Sequence, residues 1–271
     1  MSILAVITRI TTQKKSKSRY NIFIDNGQGE EYGFSVDEDI LIEFHLRKGL
    51  ELDKQTTEQL IQKDSIHRTY SLTINFLSYR MRSIKEIKEY LIKKEVEQEQ
   101  IDVVVNRLLS EGLLNDTDFA EALVRTRVQT TSKGPMLVKR ELMDKGVSSA
   151  IADQALSFYP YESQYEKAAK WVEKKLKSSN RKSFRQQVQN LQQTLMQKGF
   201  TQDVIKDVLE NVENNKDDDQ EWQSVVYQGE KLVRKYEKKL EGNALRQKLK
   251  GALYQKGFSF DLIDRFIDEN S

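Results

Sequence analysis

The 271-residue sequence has no cysteine, two prolines, twelve glycines and two histidines. Without cysteine there is no disulfide framework, no thiolate metal site and no cysteine nucleophile. So little proline and glycine excludes collagen, which needs glycine at every third residue, and argues against sandwiches and barrels. No stretch approaches the roughly 18 apolar residues of a membrane span. The opening Met-Ser-Ile-Leu-Ala-Val-Ile-Thr-Arg is too short in its apolar part, and lacks the basic lead, for a secretory signal. A soluble, cytoplasmic chain of roughly two domain-sized units is expected.

Catalytic signals are equally scarce. His45 and His67 stand in no sequence pattern with a carboxylate or another ligand, and a lone helical histidine is more often structural than catalytic. There is no GxxxxGK[ST], and Gly27-Gln28-Gly29-Glu30-Glu31-Tyr32-Gly33 fails the GxGxxG spacing and reads as a hairpin. Lys133-Gly134-Pro135 reads as a helix start with Pro135 in the first turn. Asp217-Asp218-Asp219 lacks the alternating ligands and turn glycine of a calcium loop and reads as a solvated linker. No catalytic, cofactor-binding or metal-ligating residue is predicted, and the expectation is a protein that is not an enzyme.

What the chain does contain is helical repetition, with 38% hydrophobic and 32% charged residues. The first fifty residues differ: an apolar run from Ile3 to Ile10, alternation at Tyr20/Ile22/Ile24 and again at Tyr32/Phe34/Val36 predict two or three antiparallel strands. Asp37 is expected to cap a helix that runs to Gly49, Leu50 and Leu52 to add a short strand, and Thr56 to open a further helix. Beyond residue 65 the chain aligns on Glu95, Gly146, Gly199 and Gly257. Leucine stands four residues before each, at 91, 142, 195 and 253, lysine one before, at 94, 145, 198 and 256, and Val96, Val147, Phe200 or Phe258 one after.

That pattern describes a helix stripe, a lysine-glycine stop and a second helix packed back on the first. A leading helix precedes each pair, with stripes such as Leu72/Phe76/Leu77 and Phe119/Leu123/Val124. The predicted fold is mainly α: tandem three-helix repeats forming an elongated, jointed array behind a small α+β segment. Expected boundaries are 1–53 for the strand-bearing segment, 54–110 for a linker helix and unit one, then 111–160, 161–213 and 220–271. The stretch from Asn211 to Gln220 is the expected hinge.

Lysine and arginine (44) nearly balance aspartate and glutamate (42), but not locally. Residues 174–202 hold Lys174, Lys175, Lys177, Arg181, Lys182, Arg185 and Lys198 with no acid. A single run of this kind is usually a solvated helix face. Cations recurring at equivalent places in several units can follow a phosphate backbone or meet an acidic protein surface. No zinc-finger spacing, basic zipper or RNP motif appears, so any nucleic-acid binding is expected to be indifferent to sequence.

Leu77-Ser78-Tyr79-Arg80-Met81-Arg82-Ser83, then Glu86-Ile87 and Leu91-Ile92-Lys93-Lys94, then Gly112-Leu113-Leu114-Asn115-Asp116-Thr117-Asp118-Phe119-Ala120, Lys133-Gly134-Pro135 and Arg140-Glu141-Leu142-Met143-Asp144-Lys145-Gly146 resemble the RecX family. The ordered series covers residues 70–156, later units resemble degenerate copies, and the N-terminal segment is similar to that of the longer Gram-positive members. The resemblance implies a non-enzymatic regulator that lies in the groove of the RecA recombinase filament on single-stranded DNA and modulates its growth, ATP hydrolysis and strand exchange. Implied partners are RecA and single-stranded DNA, with double-stranded DNA left open, and no membrane; a monomer is expected.

Candidates for the filament or DNA surface are Arg80, Arg82, Arg125, Arg127, Lys133, Lys139, Arg140, Lys174, Lys175, Lys177, Arg181, Lys182 and Arg185. The family pattern has glycine where Glu95 stands, so the first turn is expected to close differently, and Asp116 is expected to cap the helix carrying Phe119. The alternative is a sequence-nonspecific nucleic-acid-binding helical repeat acting by DNA occupancy; a pure protein scaffold is a remote third.

Overall fold

The computed structural model describes residues 4–14, 16–177 and 181–270; Ile3, the predicted start of the first apolar run, lies outside them. The chain divides into two compact units, Met1–Phe119 and Ala120–Ser271. In the first, β1 (Ala5–Thr12), β2 (Arg19–Asp25), β3 (Glu30–Asp37) and β4 (Glu51–Leu52) form an antiparallel sheet in the order β3-β2-β1-β4. The period-2 alternation does what a half-buried sheet requires: Ala5, Ile7, Ile22, Ile24, Phe34 and Val36 join Ile40, Leu46, Leu52 and Leu60 in one core.

Asp37 caps α1 (Glu38–Glu43) by accepting the Asp39 N–H. This helix stops well short of Gly49. His45 takes the left-handed conformation (φ 49°), its N–H bonds the Ile42 carbonyl, and the Leu46 N–H returns to Leu41. The early stop lets Leu46 turn into the sheet core. After it, α2 (Lys54–Leu77) runs 24 residues as one helix, where the sequence reading has a linker helix and a separate leading helix. No glycine or proline interrupts those residues. Buried Asp64 on α2 accepts Arg19 Nη2 at 2.7 Å and the Asp37 N–H at 2.7 Å. Sheet and helix are thus fastened by a buried charge with its partners in place.

Three-helix groups follow. In the first unit, α2 packs with α3 (Ile84–Ile92) and α4 (Gln98–Ser110) around Ile87, Leu91, Ile101, Val104, Val105 and Leu108. In order come α5 (Asp116–Thr130), α6 (Pro135–Asp144) and α7 (Ser149–Ala155); α8 (Tyr161–Leu176), α9 (Phe184–Gln197) and α10 (Gln202–Asn214); and α11 (Asp218–Tyr236), α12 (Gly242–Gln255) and α13 (Phe260–Glu269). The mainly α tandem-repeat fold is present.

The last two groups are size-exchanged copies. Val172 on α8 and Val208 on α10 are buried in the third group. In the fourth, Gly229 and Phe266 take the corresponding places, and a Cβ on Gly229 would lie 2.2 Å from the Phe266 ring. Close packing at constant volume explains the exchange. The acidic segment between these groups is not a loose hinge. Asp217 caps α11, Asp218 and Asp219 occupy its positively polarised first turn, and Lys216 pairs with Asp218 and the buried Glu221.

Each middle helix ends in one motif. Glu95, Gly146, Gly199 and Gly257 have φ of 59, 85, 80 and 87°. Their N–H groups bond the carbonyls of Ile92, Met143, Met196 and Tyr254, and the next residue's N–H reaches Leu91, Leu142, Leu195 or Leu253. This is the Schellman arrangement, with an apolar contact between the first and last of its residues. The expectation that the first turn closes differently is wrong: Glu95 makes the same turn, with a side chain in a region that disfavours one.

In the second unit these turns also receive the neighbouring group. The Gly134 N–H donates to the Lys198 carbonyl at 2.7 Å and the Met136 N–H to Gly199 at 3.0 Å. A Cβ on Gly134 would lie 2.3 Å from the Gly199 carbonyl. One group later, the Ser183 hydroxyl donates to the Lys256 carbonyl. Hydrogen bonds to the turn carbonyls, from main-chain N–H groups at Gly134 and Met136 and from a side-chain hydroxyl at Ser183, therefore join groups where the sequence suggests free joints.

Replacing Glu95 by Gly should stabilise the protein by about 0.5–1 kcal/mol, because removing the αL strain outweighs the glycine entropy; a lower denaturation midpoint for E95G would contradict this. Gly134→Ala should cost about 1–3 kcal/mol through overpacking against Gly199, read as a lower midpoint for the second unit in urea.

Candidate functional site

The thirteen predicted surface cations separate into three environments. Five are neutralised by acids. Arg80 forms a two-point pair with Glu86 at 2.9 and 3.1 Å, Lys139 pairs with Asp153, Lys177 with Glu173, and Arg127 and Lys133 both hold Glu141. Two lie on aromatic rings: Arg82 3.7 Å above Phe76 and Arg125 3.8 Å above Phe158. Burial holds the Arg82 guanidinium below its ordinary pKa, though it remains cationic. These seven already do structural work, which the sequence order conceals.

Six remain. Arg140 on α6 is exposed. Lys174 and Lys175 close α8, where a cation is favoured by the helix dipole, and Arg181, Lys182 and Arg185 surround Ser183, whose side chain caps α9 through the Gln186 N–H. Among the described residues, Arg140, Lys174, Arg181, Lys182 and Arg185 have no ion-pair partner; Arg181 lies 5.0 Å from the Tyr227 ring. Lys175 and Lys198 approach the Trp171 ring to 6.0 and 5.4 Å. The fold adds Trp171 and Lys198 to the surroundings of this candidate corner. The acid-free composition of 174–202 pointed to Lys198, but nothing in sequence order placed it against an indole one helix away.

The Glu141 cluster is electrostatically the most committed. Hydrogen bonds from Arg127 (2.6 Å) and Lys133 (2.8 Å) outweigh burial and hold the Glu141 carboxyl down to about 2. Nearby, fully buried Tyr159 donates its hydroxyl to the Lys133 carbonyl, and burial pushes its pKa up to about 12. Lys167 donates to the Thr131 carbonyl at 2.7 Å at the end of α5. Lys133 therefore serves the structure through both its side chain and its main chain.

Asp116 does not cap its own helix. Asn115 accepts the Thr117 and Asp118 N–H groups, and Asp116 accepts the Ile84 N–H at 2.9 Å, at the first residue of α3. Burial pushes the Asp116 pKa up, and that hydrogen bond offsets only part of the shift. The fold also gives His67 the carboxylate neighbours its sequence context lacks: Asp37 and Asp39 lie 3.5 and 3.6 Å from Nε2. The three could offer one ligand atom each to a cation, within 4.8 Å of one another. Asp37 already spends its side chain on the α1 cap, so the cluster reads as a tie between α1 and α2. No helix among the described residues is long and apolar enough to cross a membrane.

The Glu141 carboxyl titrates lower in the folded chain than in the unfolded one, so its contribution is complete above about pH 4.5 and is lost as pH falls toward about 2. Glu141→Gln should cost on the order of 2 kcal/mol at pH 7, and the gap between the two proteins should close below pH 4.5. A gap independent of pH in urea melts would remove the ion cluster as its cause.

Comparison with known proteins matches this architecture along the chain. Residues 5–53 match the regulatory protein RecX N-terminal domain, 70–108 the RecX first three-helix domain, 115–156 the second, and both 162–209 and 218–267 the third. A regulatory protein RecX from Oceanobacillus iheyensis is 49% identical over 97% of this chain and 97% of its own, and one from Halalkalibacterium halodurans 42% identical over 98% and 100%. The solved structure of a regulatory protein RecX superposes with a TM-score of 0.64 at 33% identity, covering 75% of this chain and 99% of that one. That of RecX from Lactobacillus salivarius gives 0.52 at 32%, over 56% and 98%. With every strand and helix group matched in order, this chain belongs to the RecX family of regulatory proteins.

Proposed function

We propose that this protein is a non-enzymatic regulator of the RecA recombinase that binds the RecA filament on single-stranded DNA and controls its growth, ATP hydrolysis and strand exchange. Family membership supports the regulatory role. The observation that supports contact with the strand is the acid-free corner of α8 and α9, where Lys174, Arg181, Lys182 and Arg185 carry charge that no internal acid neutralises. Cations already paired inside a protein have little to gain from phosphate, whereas free ones release counterions when they bind it. Arg140 is a further free cation of this kind. Arg80, Arg127, Lys133, Lys139 and Lys177 take lower priority, because each would have to leave a carboxylate.

The alternative, a general nucleic-acid binder acting by occupancy, rests on the same corner and differs in stoichiometry. RecA ATP hydrolysis on single-stranded DNA, titrated with this protein while light scattering follows filament length, separates them. A change in the hydrolysis rate well below strand saturation is expected; an effect only at saturation would favour occupancy. The variant with Arg181, Lys182 and Arg185 all changed to Ala should bind single-stranded DNA more weakly, with the slope of log affinity against log salt reduced by about 2. An unchanged slope would remove this corner from the interface.

A further inference from the structure

The cleft between α8 and α9 has a volume of about 380 Å³ and is lined by Trp171, Lys175, Leu176, Lys182, Gln187, Asn190, Leu191 and Thr194. That volume lies within the roughly 300–1,000 Å³ of ligand-binding clefts. Its chemistry is divided by place. Leu191 belongs to the buried core of this helix group, and Leu176 and half-buried Trp171 pack against it, so the inner wall is apolar and aromatic. Lys175 and Lys182 are exposed, as is Asn190, and Gln187 and Thr194 add an amide and a hydroxyl. No carboxylate lines the cleft, although acids make up 42 of the 271 residues.

An aromatic wall with an apolar floor takes a flat ring, amides at the side can meet the edge of a heterocycle, and lysines at the mouth favour an anion. The ligand with that distribution is a nucleotide. We propose that this cleft receives one unpaired nucleotide of single-stranded DNA, its base stacked against Trp171 and its phosphates met by Lys175 and Lys182. This rests on the strand-binding reading above and assigns it a base-contacting subsite. A duplex does not fit, because its bases have no free face for an indole, whereas a single strand offers one at every residue. Stacking is tolerant of base identity, which agrees with the absence of any base-reading motif. The fourth group carries Gln228 at the position of Trp171, where its amide donates to the Arg181 carbonyl, so the fourth group does not repeat this subsite.

Trp171 and Trp222 are the chain's two tryptophans, so Trp222→Phe leaves Trp171 as the only indole reporter. In that variant of the full-length protein, oligo(dT) should quench the fluorescence, and an abasic oligomer of equal length and charge should quench it far less. Trp171→Ala should weaken oligo(dT) binding by about 5- to 100-fold, the equivalent of the loss of one stacked base, with the salt slope unchanged, since a stack releases no counterions. Trp171→Phe should recover most of the affinity; full loss in both variants with a lowered thermal midpoint would assign Trp171 to packing and overturn the subsite. If W171A binds as tightly as the parent while the triple alanine variant is weakened, the subsite is wrong and the strand-binding corner stands. If the parent itself binds no single strand, both fail. Equal quenching by free dTMP at the same nucleotide concentration would also overturn it, because the cleft would then serve a free nucleotide and not a strand.

Discussion

The left-handed residue that ends each middle helix is the constraint on which the rest of the array depends. A residue of positive φ lets the chain leave an α-helix and turn back within a short connection, and the Schellman hydrogen bonds then satisfy carbonyls that the helix leaves open. The same turn brings leucine 91, 142, 195 or 253 against the apolar residue one past the turn, so the reversal and the core are made by the same four residues. Three of the four positions are glycine. Glu95 shows that the hydrogen bonds and the leucine contact can hold a non-glycine residue there, at a conformational cost of about 1–2 kcal/mol.

The glycine turns have a second use that the helix reversal alone does not require. In the second unit the Lys198-Gly199 turn offers its carbonyls to the start of α6, and the Lys256-Gly257 turn offers one to Ser183 at the start of α9. A helix start has free N–H groups and a turn has free carbonyls, so at Gly134 and Met136 pairing them satisfies both main chains directly, while at Ser183 the side-chain hydroxyl makes the bond. The approach this demands is closer than a Cβ permits at Gly134. Gly199 is thus required twice, once by its positive φ and once by the Leu137 backbone 2.7 Å from where its Cβ would lie, whereas Gly134 is required by the close approach alone.

This explains which parts of the molecule were legible in sequence. The repeat, its leucine stripe and its stop are local, periodic and therefore visible. The α1 terminus was not, because His45 takes a conformation normally signalled by glycine, and the nearest glycine lay four residues on. Asp116 misled for a related reason: an acid at a helix start looks like that helix's own cap, and only the tertiary fold shows it serving α3 while Asn115 caps α5. The candidate site was legible as a composition and not as a geometry. The absence of acids along residues 174–202 leaves Lys174, Arg181, Lys182 and Arg185 without an ion-pair partner among the described residues, whereas Arg127, Lys133 and Lys139, in a segment of mixed charge, find acids one or two turns or one helix away.

That difference has a physical basis. In a chain with nearly equal numbers of cations and anions, any cation on a helix has a good chance of an acid within the i, i+3 or i, i+4 distance or across one helix contact. Exposed pairs gain little stability, typically under about 1 kcal/mol, but they do remove a cation from the set that can meet a ligand at no internal cost. Excluding acids from one 29-residue stretch is therefore the cheapest way to keep charge available on a protein whose net charge stays near neutral. It leaves the overall field weak, so long-range attraction to every polyanion is limited, and Lys182, a cation with no ion-pair partner among the described residues, lines the aromatic cleft. In the proposed subsite, selectivity for an unpaired strand over a duplex would follow from placing short-range stacking beside a local cationic patch.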